Sequence, residues 1–496
     1  MIHKIEKPKI QPVRKLSNNY LSELILSSLK NIFEENKSKD FAHKEKIFFR
    51  IEIPIEKINF TAWLANQNQG IKTFWASRKL NFKMAGIGAA DIVCGNLLEN
   101  YSDLFQRLNE YLSDESNYIR YYGGFGFYKT KIKDTHWNPF GSYRFIIPRF
   151  EILFDTEKWL FAFNSVFNNY SEIEDQLAEI DKEIRNITWN DSIDAEQEIT
   201  FINRANFPDS DDWKKMINSA LDSINRNEIE KIVLARKTRF EFTEEINPFV
   251  ILNRLITVNP DSLFFGFQPE ANTSFIGATP ELLYRRNGNT IYSEAIAGTR
   301  RRGRDPVEDN MLENELLNSD KDLREHDFVI QSVKFAMQKI CSSVSGNNRV
   351  STIKLARLQH LFTNFEGRLK EEIDDARILS VLHPTPAVGG SPTKEALLQI
   401  KELEPFDRGW YAAPVGWLSF DSAEFAVAIR SGLFFGNELF LFSGAGIVPG
   451  SQAQAEWEEI ESKIGNFLKV LEINGDSNGK YQQSLGFADY SRADQK

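Results

Sequence analysis

Glu281-Leu282-Leu283-Tyr284-Arg285-Arg286, then Asn287-Gly288, then Thr290-Ile291-Tyr292-Ser293-Glu294-Ala295-Ile296 reads as a β-hairpin. Two extended runs meet through a dipeptide that strongly favours a tight hairpin turn. Upstream, Lys231-Ile232-Val233-Leu234-Ala235-Arg236 and Leu263-Phe264-Phe265-Gly266-Phe267 add further strands. Helical spacing precedes them in Trp213, Met216, Ile217, Ala220, Leu221 and Ile224, and returns over 322–341 and 454–471. Strands and helices come in blocks and not in strict alternation, which predicts an α+β chain over a doubly wound one.

The first half is less regular. Residues 1–18 are Lys-rich with Pro8 and Pro12 and read as an arm, while Leu21, Ile25, Leu29 and Ile32 predict a helix over 19–35. From 45 to about 170, aromatic-rich runs such as Ile47-Phe48-Phe49-Arg50-Ile51 and Tyr118-Ile119-Arg120-Tyr121-Tyr122 suit a half-buried antiparallel sheet. Residues 171–200 are acidic and read as a solvated helix without a strong apolar stripe, leading into a linker. The expected organisation is an arm (1–18), a β-rich region (19–200), a catalytic region (201–473) and a tail (474–496), with no internal repeat.

Composition narrows the function. The chain has 496 residues, 42% of them hydrophobic, with 60 Lys plus Arg against 70 Asp plus Glu. That apolar fraction supports a real core, and the net charge of -10 disfavours nucleic acid as a partner. Cys94 and Cys341 are the only cysteines, too few for a disulfide framework or a Cys-rich zinc site. The polar start and the absence of a membrane-length apolar run predict a cytoplasmic protein without a membrane partner.

Phosphate-cradling motifs are missing. Gly123-Gly124-Phe125-Gly126 lacks the third glycine of a dinucleotide loop and reads as a strand bend. Arg300-Arg301-Arg302-Gly303-Arg304 reads as a solvated loop or a substrate-anion contact. The two late helices say more. On the second, Trp457, Ile460, Ile464, Phe467 and Leu471 form an apolar stripe, with Glu456, Glu459 and Lys463 on a stripe beside it. On the first, Asp322 and Glu325 share the stripe of Val329, Ala336 and Ile340. Carboxylates on a core-facing stripe are costly unless a cation compensates them, and an all-oxygen donor set points to Mg²⁺. Glu325 and Glu459 are the main candidate ligands. Asp322 is either a further ligand or the capping partner of Ser319, and Glu456 is either a ligand or part of a solvated face. Lys231 opens an apolar strand, so its amine either reaches solvent along its own stem or stays in a dry interior where it can act as a base. Gly389-Gly390 and Gly444-Ala445-Gly446 read as turns or as backbone amides presented to a carboxylate.

Taken in order, these stretches form a recognisable set. Lys231 to Arg236 is followed by Gly277-Ala278-Thr279-Pro280-Glu281, Glu294-Ala295-Ile296-Ala297-Gly298-Thr299 and Arg324-Glu325-His326. Then come His383-Pro384-Thr385-Pro386-Ala387-Val388-Gly389-Gly390, Ala428-Ile429-Arg430, Gly444-Ala445-Gly446-Ile447-Val448 and Glu456-Trp457-Glu458-Glu459. Over roughly 210–470 the chain resembles the chorismate-utilising enzymes, and within them the isochorismate synthases.

The resemblance implies a four-layer α/β/β/α architecture with two large antiparallel sheets. It implies Lys231 as general base, Glu281 as general acid, and Glu325 and Glu459 as Mg²⁺ carboxylates. It places Tyr411, Arg430, Gly446 and Lys463 on substrate carboxylates, with Gly298, Thr299, His360, Ala387 and Gly389 around the substrate. The implied reaction is attack of a Lys231-activated water on C2 of chorismate. The C4 hydroxyl leaves, protonated by Glu281, while Mg²⁺ holds the ring carboxylate. Anthranilate and aminodeoxychorismate synthases, which work with an amidotransferase subunit, are an alternative. So is a salicylate synthase, which typically carries Thr where Ala387 stands. The anthranilate enzymes carry Gln where Lys231 stands, so no obligatory amidotransferase partner is expected.

Overall fold

Period-2 alternation decides where each strand sends its side chains. Phe265 and Phe267 join one buried cluster and Phe264 the cluster on the opposite face of the same strand, as the pleat requires. The computed structural model describes residues 2–8, 12, 16–36, 46–114, 118–193, 199–346, 350–355, 358–475 and 481–483.

Two sheets result. The larger has 13 strands among the described residues. From the edge strand Ile2–Glu6 it passes through Ile47–Pro54, Lys158–Phe167, Phe150–Asp155, Phe82–Ile87 and Lys72–Ala76. It continues through Leu263–Glu270, Thr273–Thr279, Ser431–Phe435, Glu438–Ile447 and Lys231–Phe242 to Phe201–Phe207. Gly390–Ser391 also pairs with the start of Lys231–Phe242. The smaller has 10 strands, with Leu358–Leu369, Thr290–Arg301, Leu282–Asn287, Ser422–Val427, Pro414–Leu418, Tyr121–Phe125 and Tyr143–Ile147 running through its middle. Aromatic side chains such as Phe125, Phe145, Phe275, Trp410 and Phe425 fill the core. Helices Asn18–Asn36, Tyr170–Arg185 and Pro248–Val258 bury their apolar faces in the cluster that covers the larger sheet's other face. Helices Tyr101–Leu108, Asp320–Ile340 and Asp375–Leu382 pack with the smaller sheet. This is the expected α+β, four-layer arrangement.

Both sheets are built across the middle of the chain. Lys72–Ala76 pairs with Leu263–Glu270 in the larger, and Tyr121–Phe125 pairs with Pro414–Leu418 in the smaller. The crossings between sheets are short: Pro280-Glu281 links Thr273–Thr279 to Leu282–Asn287, and Ala428-Ile429-Arg430 links Ser422–Val427 to Ser431–Phe435.

Several expectations need correction. The arm begins with a strand, Ile2–Glu6, which pairs parallel with Ile47–Pro54, so the larger sheet is not wholly antiparallel. The acidic helix does carry a stripe: Ile173, Ile180 and Ile184 are buried, and the charges between them hide it in the sequence. Gly123 and Gly124 lie within a buried strand and not at a bend, because a Cβ at Gly123 would sit 1.9 Å from the Arg144 carbonyl oxygen of the neighbouring strand. Gly444 to Gly446 are also strand interior, opposite Ala235 to Val233, and make no turn. Of the tail, Ile473–Gly475 pairs with Tyr481–Gln483, and the rest lies outside the described residues.

Candidate active site

One cavity of about 250 Å³ opens where the sheet crossings meet the two late helices. Lys231, Glu281, Gly298, Thr299, Asp322, Glu325, His360, Ala387, Tyr411, Arg430, Gly446, Glu456, Glu459 and Lys463 all line it. Gly389 does not. Its amide donates to Thr385 O at 2.9 Å and its carbonyl accepts from Val233 N at 2.8 Å, so it ties a loop to the sheet, as a turn residue would.

Lys231 sits at the first position of its strand with its side chain inside, which excludes the solvent-reaching alternative. Its Nζ lies 3.3 Å from Glu325 Oε1. Gly446 on the adjoining strand makes room for it, since a Cβ there would come within 3.1 Å of Lys231 Cε. Glu281, at the crossing between sheets, is almost fully buried. Burial pushes its carboxyl up to about 7, the charge of Glu294 pushes the same way, and Lys231 opposes them. At neutral pH this carboxyl therefore keeps much of its proton, the state a general acid needs.

Cationic and neutral donors line the other walls. Burial pulls Arg430 down to about 10, and its Nη1 donates to Lys463 O at 3.1 Å. Arg430 also has a φ of 52°, a left-handed conformation that is costly for arginine and is held by its carbonyl accepting from Ala278 N at 3.1 Å. Lys463 Nζ donates to Gly444 O at 2.8 Å and pairs with Glu459 Oε1 at 2.5 Å. His360 Nδ1 lies 3.1 Å from Gly298 O and from Thr299 Oγ1. Burial, with the charge of Arg430 added, lowers this ring to about 3. It is neutral, and donation from Nδ1 to Gly298 O leaves the buried, unpaired Nε2 as an acceptor.

The carboxylates divide by partner. Lys463 holds Glu459 below the usual carboxylate range, whereas burial and the charge of Glu459 raise Glu456. Asp322 is engaged by Arg300 at 2.8 Å, and Ser319 caps the helix by accepting from Asp322 N at 3.4 Å. Among the described residues no three such side chains gather closely enough to hold a metal by themselves. The donor set does fit Mg²⁺, which uses one or two protein carboxylates and completes its shell with substrate and water. Burial is the larger cause of the rise at Glu456 and the neighbouring Glu459 charge the smaller, and a cation between the two would oppose the rise.

Sequence reasoning missed Arg408, Lys321, Ser443 and Ser451, which also line the cavity. Arg408 had a local signal, Glu404 four residues earlier; the pair is fully buried at 2.5 Å. The arginine cluster is mostly structural: Arg302 makes a bidentate pair with Asp309 at 2.7 and 2.9 Å, Arg301 pairs with Glu308, and Arg300 alone reaches the cavity.

The chain is similar to several known proteins. Isochorismate synthase 2, chloroplastic, of Arabidopsis thaliana is 34% identical over 458 residues, covering 85% of this chain and 80% of that one. Isochorismate synthase MenF of Bacillus subtilis is 31% identical, covering 88% and 95%. The structure of MenF, the menaquinone-specific isochorismate synthase from Escherichia coli, superposes with a TM-score of 0.78 at 25% identity, covering 90% of this chain and 99% of that one. The family described as chorismate binding enzyme matches residues 33–472, a span that takes in both sheets except the edge strand Ile2–Glu6, both crossings and the helices bearing Glu325 and Glu459. Matched over residues 33–472 and so through every wall of the cavity, this chain belongs to the family of chorismate binding enzymes.

Proposed function

We propose that this protein is an isochorismate synthase, an isomerase that converts chorismate to isochorismate. The observation that carries the reading is one cavity holding both a buried lysine amine and a carboxyl raised to about 7. Lys231 Nζ takes a proton from a water whose oxygen bonds to C2 of the ring. The two ring double bonds shift, the C4–oxygen bond breaks, and Glu281 gives its proton to the departing oxygen, which leaves as water. One water enters and one departs, so the ring is isomerised without net hydration. Arg430, Tyr411 and Lys463, with the Gly446 amide, hold the carboxylates of chorismate, and neutral His360 accepts a hydrogen bond through Nε2. Fixing the ring between base and acid is itself a large part of the rate enhancement.

The same reading includes Mg²⁺ held by Glu325 and Glu459, with Glu456 beside them. When bound it neutralises the ring carboxylate. Treatment with a chelator is expected to abolish turnover, and added Mg²⁺ to restore it. Glu459→Gln is expected to raise the Mg²⁺ concentration needed for half-maximal rate. Full activity in chelated protein would refute the metal assignment.

Chorismate with Mg²⁺, resolved by chromatography, is expected to yield isochorismate with little salicylate, and ammonium is not expected to divert the product. Lys231, where the anthranilate enzymes carry Gln, and Ala387, where salicylate synthases carry Thr, support this over the lyase and aminating reactions. Salicylate or an aminated product as the main peak would overturn it. No amidotransferase subunit, nucleic acid or membrane is part of this reading. No described helix is long and apolar enough to cross a membrane. The free thiols of Cys94 and Cys341 suit the reducing cytoplasm. The relatives include both a menaquinone-specific and a vibriobactin-specific isochorismate synthase, so the likeness supports the reaction and not one onward pathway.

A further inference from the structure

Residues 1–230 contribute nothing to the cavity wall, yet one of their side chains binds the residue before the proton donor from behind. Strands Lys72–Ala76 and Phe82–Ile87 form a hairpin of the larger sheet, and its tip crosses to the smaller one. There Trp75 Nε1 donates to Glu424 Oε1 at 2.9 Å, and the Ser77 hydroxyl donates to the same oxygen. Beside them Arg78 makes a bidentate pair with Glu294, at 2.7 and 2.8 Å, and its Nη2 also donates to Pro280 O at 2.6 Å. Pro280 is the residue before Glu281, and Glu294 is the carboxylate whose charge Glu281 feels most.

We propose that Arg78 is a positioning residue for the reaction: by clamping the Pro280 carbonyl and the Glu294 carboxylate together, it fixes where the Glu281 carboxyl points and neutralises the charge behind it. The inference rests on the reading of Glu281 as proton donor. The crossing at Pro280-Glu281 has other restraints too, among them Glu281 N donating to Thr279 Oγ1 at 3.3 Å. Glu281 O accepts from Val427 N at 3.0 Å, and Thr279 Oγ1 donates to Val427 O at 2.7 Å. Those bonds hold the backbone on one side, and Arg78 holds it on the other.

The two members of the clamp act on the donor with opposite sign. Glu281 must be protonated to act, so activity falls as pH rises through its titration. With Arg78 removed, the bare Glu294 charge raises that titration; with Glu294→Gln, the remaining arginine lowers it. The other groups facing the donor stay unchanged in both variants: Lys231 at the start of its strand, Arg408 and Tyr411 after the 393–403 helix, Arg430 at the second crossing, and Glu424 and Asp261 around Arg78 itself.

The test is the pH dependence of kcat and KM for chorismate in Arg78→Ala, Arg78→Lys and Glu294→Gln. Arg78→Ala is expected to lower kcat about tenfold through loss of alignment, with KM near wild type and the alkaline limb moved to higher pH. Glu294→Gln is expected to move the same limb to lower pH, and Arg78→Lys to keep the limb while losing part of kcat. Limbs unmoved, or moved in the same direction in both variants, would overturn the proposal. Should Arg78→Ala fail to fold, the limb in Glu294→Gln decides alone. Glu281→Gln separates the two levels. If it remains active, the donor assignment is wrong. If it is dead while Arg78 and Glu294 variants keep the wild-type limb, only the clamp is wrong.

Discussion

Glu281→Gln is expected to remove turnover while leaving chorismate binding nearly intact, and Lys231→Ala to do the same. An amide is close in shape to a carboxyl but has no acidic proton for the departing C4 oxygen. Removing the amine leaves the attacking water without a base. Each loss is expected to lower kcat by ~10²-fold or more. Binding survives because the substrate's carboxylates are assigned to Arg430, Tyr411 and Lys463, none of which either substitution touches. Steady-state kinetics with isothermal titration of chorismate would distinguish a dead, binding-competent enzyme from a damaged pocket. A kcat near wild type in either variant would refute its role.

The second large effect is expected at Arg408, and it is one of stability. Between Gly390–Ser391 and Phe201–Phe207, the strand Lys231–Phe242 has an edge that no strand covers among the described residues. Side chains complete the ladder there: Arg408 Nη2 donates to Val233 O at 2.8 Å, and Glu404 Oε1 accepts from Ala235 N at 2.7 Å. Arg408 Nη1 also donates to Val388 O at 2.8 Å, fixing the loop that bears Ala387. Arg408→Ala would strand a buried carboxylate, a loss of about 3–5 kcal/mol. For an ordinary buried pair, replacing both partners by apolar residues recovers much of that. Here the double variant with Glu404→Leu and Arg408→Met is expected to remain destabilised, because Val233 O and Ala235 N lose these partners, at about 1–3 kcal/mol for each buried group left unpaired. Urea denaturation of both single variants and the double would show it. Wild-type stability in the double variant would contradict this account.

What the sequence reveals depends on how local its cause is. The hairpin at Asn287-Gly288 is legible because two adjacent residues decide it; Asn287 pairs with Thr290 as expected. The helices Asp320–Ile340 and Ala453–Val470 are legible because the 3.6-residue period repeats over five turns, and that period also brings Glu325 and Glu459 to one cavity. The strand from Lys231 extends to Phe242, six residues past the apolar run, because Lys237, Arg239 and Glu241 alternate with buried Thr238, Phe240 and Phe242. A half-buried strand carries a weaker signal than a fully buried one. Arg78 lies 202 residues from its Pro280 contact, and no spacing rule spans that interval. The same holds for the buried Arg50, which donates to Glu151 and, at 2.8 Å, to Asn164. Long-range partners of charged groups are set by topology, which local pattern does not contain.

The ladder that joins Lys72–Ala76 to Leu263–Glu270, and its counterpart in the smaller sheet, bear on how this polypeptide can be divided. A cut near residue 200 would leave each fragment with two raw strand edges, one in each sheet. Such edges pair with whatever strand they meet, including their own kind. The fragment holding every cavity residue would thus be a poor inheritor of the activity by itself. Residues 1–200, without a single wall residue, thus cover strand edges that the rest of the chain cannot cover by itself.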